Sequence, residues 1–248
     1  MRAGRIGWRV AMGSMLLVLL FGSPAGGLKN KSESGKTIDS GSFAVWVNGQ
    51  RVATETFHIL QGEIYSTASS EFKGETGDKV IQKAELQVTS SGEFHRYEWH
   101  ETTPHKEEIV VEPSESFMVE HVVPEAPERP VTQPFMLPLT TIVLDDYFFS
   151  QRELLVWRYL AQSCGGNLQQ CRPGTMQFGA LIPRRQMPVV VTVENAGPEK
   201  VNLNGSERDL NRIILKIPEE ADWTLYVDLN FKLLRISIPA ENTEVVRQ

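Results

Sequence analysis

Three histidines, His95, His100 and His105, recur at intervals of five residues, and histidine is a common zinc ligand. A metal centre needs three or four ligands converging on one point. On a strand an odd offset puts His95 and His100 on opposite faces, and Pro104 interrupts the chain before His105. We read these as exposed histidines on a partly polar strand and expect no metal site. Asp145 and Asp146 are adjacent carboxylates, and two neighbouring acids can act as an acid and base pair when their environments separate their pKa values. A hydrolase using this pair is one alternative reading. Their position ahead of a helix favours capping of free N–H groups instead. No G-x-S-x-G nucleophile turn, phosphate-binding glycine loop or dinucleotide fingerprint is present, so no catalytic residue and no cofactor is expected. Arg184 and Arg185 lie between Pro183 and Pro188 and read as a solvated loop.

The acids lead into "IVLDDYFFSQRELLVWRYLAQSC", Ile142 to Cys164, which alone among the long stretches reads as helix. At 100° per residue Phe148, Phe149, Leu155, Val156, Tyr159 and Leu160 share one arc of about 140°, and Leu154 and Trp157 fall outside it. A helix apolar nearly all round is buried on more than one side. Arg152 projects within that arc. It can pair with an aspartate at the cap or receive an acidic headgroup at the mouth of a cavity. Cys164 and Cys171 flank "GGNLQQ", and a disulfide closing that short loop is the expected use of two cysteines in an exported chain.

Strands surround the helix. "FAVWV-NG-QRVATETFHI" predicts a hairpin turning on Asn48-Gly49, with Val47 opposite Gln50, Trp46 opposite Arg51 and Val45 opposite Val52. Further β-prone runs follow at short intervals, separated by Gly, Ser or Pro. After the helix they resume with cleaner alternation, as in Val189, Val191 and Val193, or Ile213, Leu215 and Ile217. Residues 123–138 carry Pro124, Pro127, Pro130, Pro134 and Pro138, a strap that cannot enter a sheet interior. We read it as a crossover within one domain. The fold class is therefore mainly β: a curved antiparallel meander, an open or half barrel, with one central helix packed in or across its concave face.

Residues 1–25 combine Arg2, Arg5 and Arg9 with the apolar run Met15 to Phe21 and the small residues before Gly26, the pattern of a secretory signal peptide. Its apolar run is well short of the roughly 20 residues that cross a bilayer, so no membrane span is expected after cleavage, and the protein is expected to be exported, periplasmic or extracellular. Residues 26–41 are expected to be a flexible leader and residues 42–248 a single domain. Removing residues 1–25 takes three arginines and no acid, so the formal charge falls from −6 to −9. Such a surface does not suit nucleic acid.

Two segments, "VLDDYFFSQRELLVWRY" and "YVDLNFKLLRISIPAENTEVVR", resemble uncharacterised exported bacterial β-rich proteins similar to the periplasmic lipoprotein carriers. The resemblance implies an incomplete barrel wrapped around a helix, with a concave apolar face that receives acyl chains. It transfers no catalytic residue. The leading expectation is a non-enzymatic protein that binds a hydrophobic ligand (a lipid or acyl chain) or an acylated partner beside Arg152, Phe148, Phe149, Leu155, Val156 and Tyr159. The alternative is an envelope scaffold whose strand edges recruit another protein.

Overall fold

Alternation along the chain yields fifteen strands and one α-helix in a computed structural model that describes residues 35–77, 79–115, 117–164, 174–203 and 205–248. The first half supplies β1 (Lys36–Val47), β2 (Gln50–Gln61), β3 (Tyr65–Gly74), β4 (Ile81–Thr89), β5 (Phe94–Thr103), β6 (Glu107–Ser114), β7 (Phe117–Val123) and β8 (Val131–Phe135). A two-residue strand β9 (Ile142–Val143) and helix α1 (Phe149–Cys164) follow. The second half supplies β10 (Thr175–Ile182), β11 (Met187–Leu203), β12 (Ser206–Lys216), β13 (Trp223–Val227), β14 (Leu233–Ile238) and β15 (Thr243–Arg247). The signal peptide of residues 1–25, most of the leader and Cys171 lie outside the described residues.

All fifteen strands form one sheet, in the order β8-β7-β6-β5-β4-β3-β2-β1-β15-β14-β13-β12-β11-β10-β9. Every pairing is antiparallel except β9 with β10. The two halves are each a meander, and they join where the first strand meets the last, Val45 opposite Val245. Laid flat, fourteen gaps of about 4.8 Å would put the β8 and β9 edges roughly 67 Å apart. Yet the seven-residue step from Phe135 to Ile142 spans at most about 24 Å. The sheet must therefore curl until its ends approach. It does so without closing edge to edge, because β9 lies against β5 and the Phe94 amide donates to Leu139 O at 2.7 Å. Strands β6 to β8 continue past that line, with β6 against the short 3-10 turn Pro183–Arg185. The result is an open, spiralling barrel around α1, as the sequence predicted.

Four local expectations change. Asn48 and Gly49 both have positive φ, 51° and 77°, the conformation of a two-residue hairpin. A bulge at Val52, opposite the step from Val45 to Trp46, then shifts the register, so Val45 faces Ala53 rather than Val52. Strand β1 starts at Lys36, because residues 36–41 pair with the far end of β2 from Gln61 to Phe57; the strand thus begins inside the expected leader. The proline strap contributes β8, and Pro134 lies at the sheet edge, where a missing donor costs no interior bond. Helix α1 begins at Phe149, beyond both Ile142, where the helical stretch was expected to start, and the expected cap at Asp145 and Asp146: Ile142 and Val143 are held as strand against β10, and Tyr147 has a φ of 65°, which helix geometry does not allow.

Candidate functional site

The apolar arc of α1 faces the barrel core. Phe148, Phe149, Leu155, Val156, Tyr159 and Leu160 are all buried within it, so the residues expected to meet a ligand pack against strands instead. Phe149 lies edge-on to Phe43, at a centroid distance of 6.4 Å, and next to Trp223. The Tyr159 hydroxyl donates to Gly174 O at 2.9 Å and accepts from the Asn195 amide. Arg152 is 1 % exposed. Its Nη1 donates to the carbonyls of Asp145 and Phe148, and its guanidinium lies 4.9 Å from the Trp223 ring centroid. Arg152 thus braces the turn that precedes the helix, and burial pushes its pKa down against the pull of nearby carboxylates.

The carboxylate at the helix start is also not the expected one. Glu55, from the middle of β2, accepts from the Phe149 amide at 2.7 Å and from the Ser150 amide at 3.3 Å, two of the free N–H groups that open any helix. The hydroxyls of Ser70 and Ser150 add bonds of 2.7 and 2.8 Å. Burial pushes the Glu55 carboxyl up, against those four donors. The signal was in the β2 sequence. Ala53, Glu55, Phe57 and Ile59 share one period-2 face and all are buried, so Glu55 is an acid on an otherwise apolar face and needs a buried partner.

Asp145 and Asp146 diverge. Asp145 is fully buried, accepting from the Tyr97 hydroxyl at 2.5 Å and from Arg184 Nε at 3.1 Å. Asp146 binds Arg185 at 2.6 Å at the surface. The two arginines read as a solvated loop therefore clamp the β9–α1 connection, and the Arg184 guanidinium lies over Trp99 and Tyr147. The histidines are equally dispersed. His95 stacks on Tyr65, His100 lies between Glu98 and Glu108, and His105 is near Glu125. No metal-binding cluster occurs among the described residues. Cys164, the last helical residue, is buried; the expected bridge to Cys171 falls outside the described residues.

In the second turn of the helix, next to Arg152, Glu153 accepts from the Leu233 amide at 3.2 Å and is 3.6 Å from Arg247. Asp39 holds Arg247 at 2.7 Å and Lys232 at 2.8 Å. Burial, and then the neighbouring Asp39, raises Glu153 to about 9. In Asp39 burial is outweighed by the bonds from Arg247 and Lys232, which bring it to about 2. Glu153 is therefore the member of the pair that holds a proton at neutral pH, and Asp39 Oδ2 and Glu153 Oε2 make no other hydrogen bond among the described residues.

Open space lies on the opposite side of α1. A cleft of about 420 Å³ runs between the outer helix face and the concave strands, lined chiefly by Ile59, Leu86, Phe94, Ile142, Leu154 and Trp157. A second, of about 280 Å³, continues it toward the β13–β14 turn and shares Ile38, Trp157 and Ala161 as its wall. Leu154, Trp157 and Ala161 form a second helical stripe at i, i+3 and i+7. Its signal was that Leu154 and Trp157 fall outside the main arc. The Trp157 indole N–H donates to Phe231 O at 2.7 Å, which fixes the ring between the two spaces. Thr141, on the wall of the larger cleft, is 2 % exposed and its hydroxyl has no hydrogen-bond partner among the described residues.

The fold has a structural counterpart. The chain is similar in fold to a crystal structure of a beta-barrel-like protein of domain of unknown function DUF1849 from Brucella abortus, with a TM-score of 0.52 over 86% of this chain and 97% of that one, at 9% identity. That likeness shows a barrel-like β fold. It does not extend to the lipoprotein carriers. No protein-family model and no curated protein matches the chain. Among the described residues no helix is long and apolar enough to cross a membrane.

Proposed function

We propose that this is a non-enzymatic exported protein, periplasmic or extracellular, that holds a hydrophobic ligand, a lipid or acyl chain, free or attached to a partner, in the groove along the outer side of α1. The observation that carries this reading is the apolar cleft of about 420 Å³ beside Leu154 and Trp157, prolonged past Ala161. Small-molecule sites are concave, mostly apolar spaces of about 300–1,000 Å³ with a few polar groups. The site differs from the expected one by half a turn of helix: the arc around Arg152 builds the core, and the stripe behind it lines the groove. Native mass spectrometry of the purified protein tests the reading. It should carry, or take up, an acyl-chain ligand; protein that stays unliganded after incubation with fatty acids and phospholipids would refute it.

A second reading, a cell-envelope scaffold, draws on the free edge. Among the described residues strand β8 pairs on one side only, and Val123, Val131 and Met136 are exposed on or beside it. An uncovered edge with apolar neighbours can add a strand from another chain. Partners captured by wild-type protein and lost when Thr132, on that edge, is replaced by Pro would favour this reading.

A further inference from the structure

We infer that the groove takes a single-chain fatty carboxylate whose head binds the free edge of the Arg158 guanidinium. This deepens the ligand reading above and rests on it. Arg158 lines the larger cleft beside Leu154 and Trp157, half-buried in α1. Its Nη1 donates to Gly92 O at 3.2 Å, and its guanidinium carbon lies 5.9 Å from the Phe178 ring centroid. These two contacts fix the plane of the group. Nε and Nη2 make no hydrogen bond to a described residue, and no described carboxylate stands within ion-pair distance of Arg158, whereas Lys232 in the adjoining cleft is already bound to Asp39 at 2.8 Å.

A half-buried cation with no carboxylate in ion-pair contact among the described residues, on a largely apolar wall, is a specific feature. Burying charge is costly unless it is paired, and Glu93 influences Arg158 only through its field. The two unused N–H groups form the parallel donor pair that donates to both oxygens of a carboxylate. The hydrocarbon of the cleft comes from Ile59, Leu86, Phe94, Ile142, Leu154 and Trp157, and the uncharged polar residues Gln61, Ser66, Ser90 and Gln162 share its wall with Arg158. The cleft beside Arg158, at about 420 Å³, is by itself at the small end of the range for small-molecule sites, and the second cleft prolongs it in one direction past Ala161, a shape that suits a single extended chain. The unpartnered Thr141 hydroxyl on the same wall is a further donor within the cleft.

Laurate, dodecanol and dodecyl phosphate share one chain and differ in head group. Titrated into the purified full chain and followed by tryptophan fluorescence, laurate should bind at least about tenfold more tightly than dodecanol, because a charge-assisted bidentate contact is stronger than a neutral hydroxyl's single bond. Arg158→Gln should abolish that preference, and Arg158→Lys should keep part of it. Equal affinity for laurate and dodecanol, or a preference unchanged in Arg158→Gln, overturns this inference and leaves the ligand reading standing. Tighter binding of dodecyl phosphate than laurate overturns the carboxylate assignment. No binding of any of the three, as when a second copy or the chain's own leader fills the groove, overturns both.

Discussion

Glu55 Oε2 accepts the amide proton of Phe149 at 2.7 Å across 94 residues of sequence. This bond ties the second strand to the first residue of the helix, so the barrel wall and its plug are fixed to one another at that end.

Glu55→Ala should therefore destabilise the protein by more than an ordinary lost helix cap, itself about 0.5–2 kcal/mol, because Ser70 and Ser150 lose an acceptor in the same buried place. Glu55→Gln keeps one acceptor oxygen and should cost less. Urea denaturation of the two variants checks the order; Glu55→Ala as stable as wild type would contradict it.

How much of this was legible varies with the range of the interaction. The meander, the Asn48-Gly49 hairpin and the single helix follow from local period and turn chemistry, and all are present. The apolar arc from Phe148 to Leu160 was also legible as the buried face. Its partner was not, since a 100° period says which side is apolar without saying whether strand or ligand covers it. The same holds for the cap. Asp145 and Asp146 are nearest in sequence, but Tyr97 and Arg184 engage the first, Arg185 engages the second, and Glu55 arrives from the other half of the sheet.

The pH dependence of stability has a predictable sign. Burial, and then the charge of Asp145, raises Glu120 to about 8 from 4.5, and both its carboxylate oxygens lack a partner among the described residues. Glu153 is raised to about 9 from 4.5. In both, the folded chain holds a proton that the unfolded chain has released, so their contribution is full below about 4.5 and is lost as pH rises through 8 to 9. Asp39, lowered to about 2 from 3.8, acts in the opposite window: its contribution is present above 3.8 and is lost as pH falls through about 2. Thermal melts should thus decline from pH 5 to 9, and Glu120→Gln should flatten that decline, gaining on the order of 1–3 kcal/mol at pH 9. A melt that rises with pH over this range would contradict the assignment.

Arg152→Met should lower stability, by on the order of 2–3 kcal/mol, since the carbonyls of Asp145 and Phe148 lose a charged donor inside the barrel. It should leave ligand affinity unchanged, because Arg152 does not line the groove. Loss of ligand binding in a folded Arg152→Met protein would return the site to the inner face of the helix.

Cys164 and Cys171, the only two cysteines, are proposed to be bridged in the exported protein. Unfolded without reductant, the protein should take up no alkylating reagent, and after reduction it should take up two equivalents. Alkylation before reduction would exclude the bridge.

If a hydrophobic ligand lies along the outer face of α1, it must pass Ala161. Ala161 is exposed, lies on the wall shared by both clefts, and can accept a large side chain without disturbing the core. A fluorescent fatty acid titrated into wild-type and Ala161→Trp protein of matched melting temperature should bind the first and bind the second at least about tenfold more weakly. Equal binding by the two proteins would contradict the placement of the ligand along the outer face of α1.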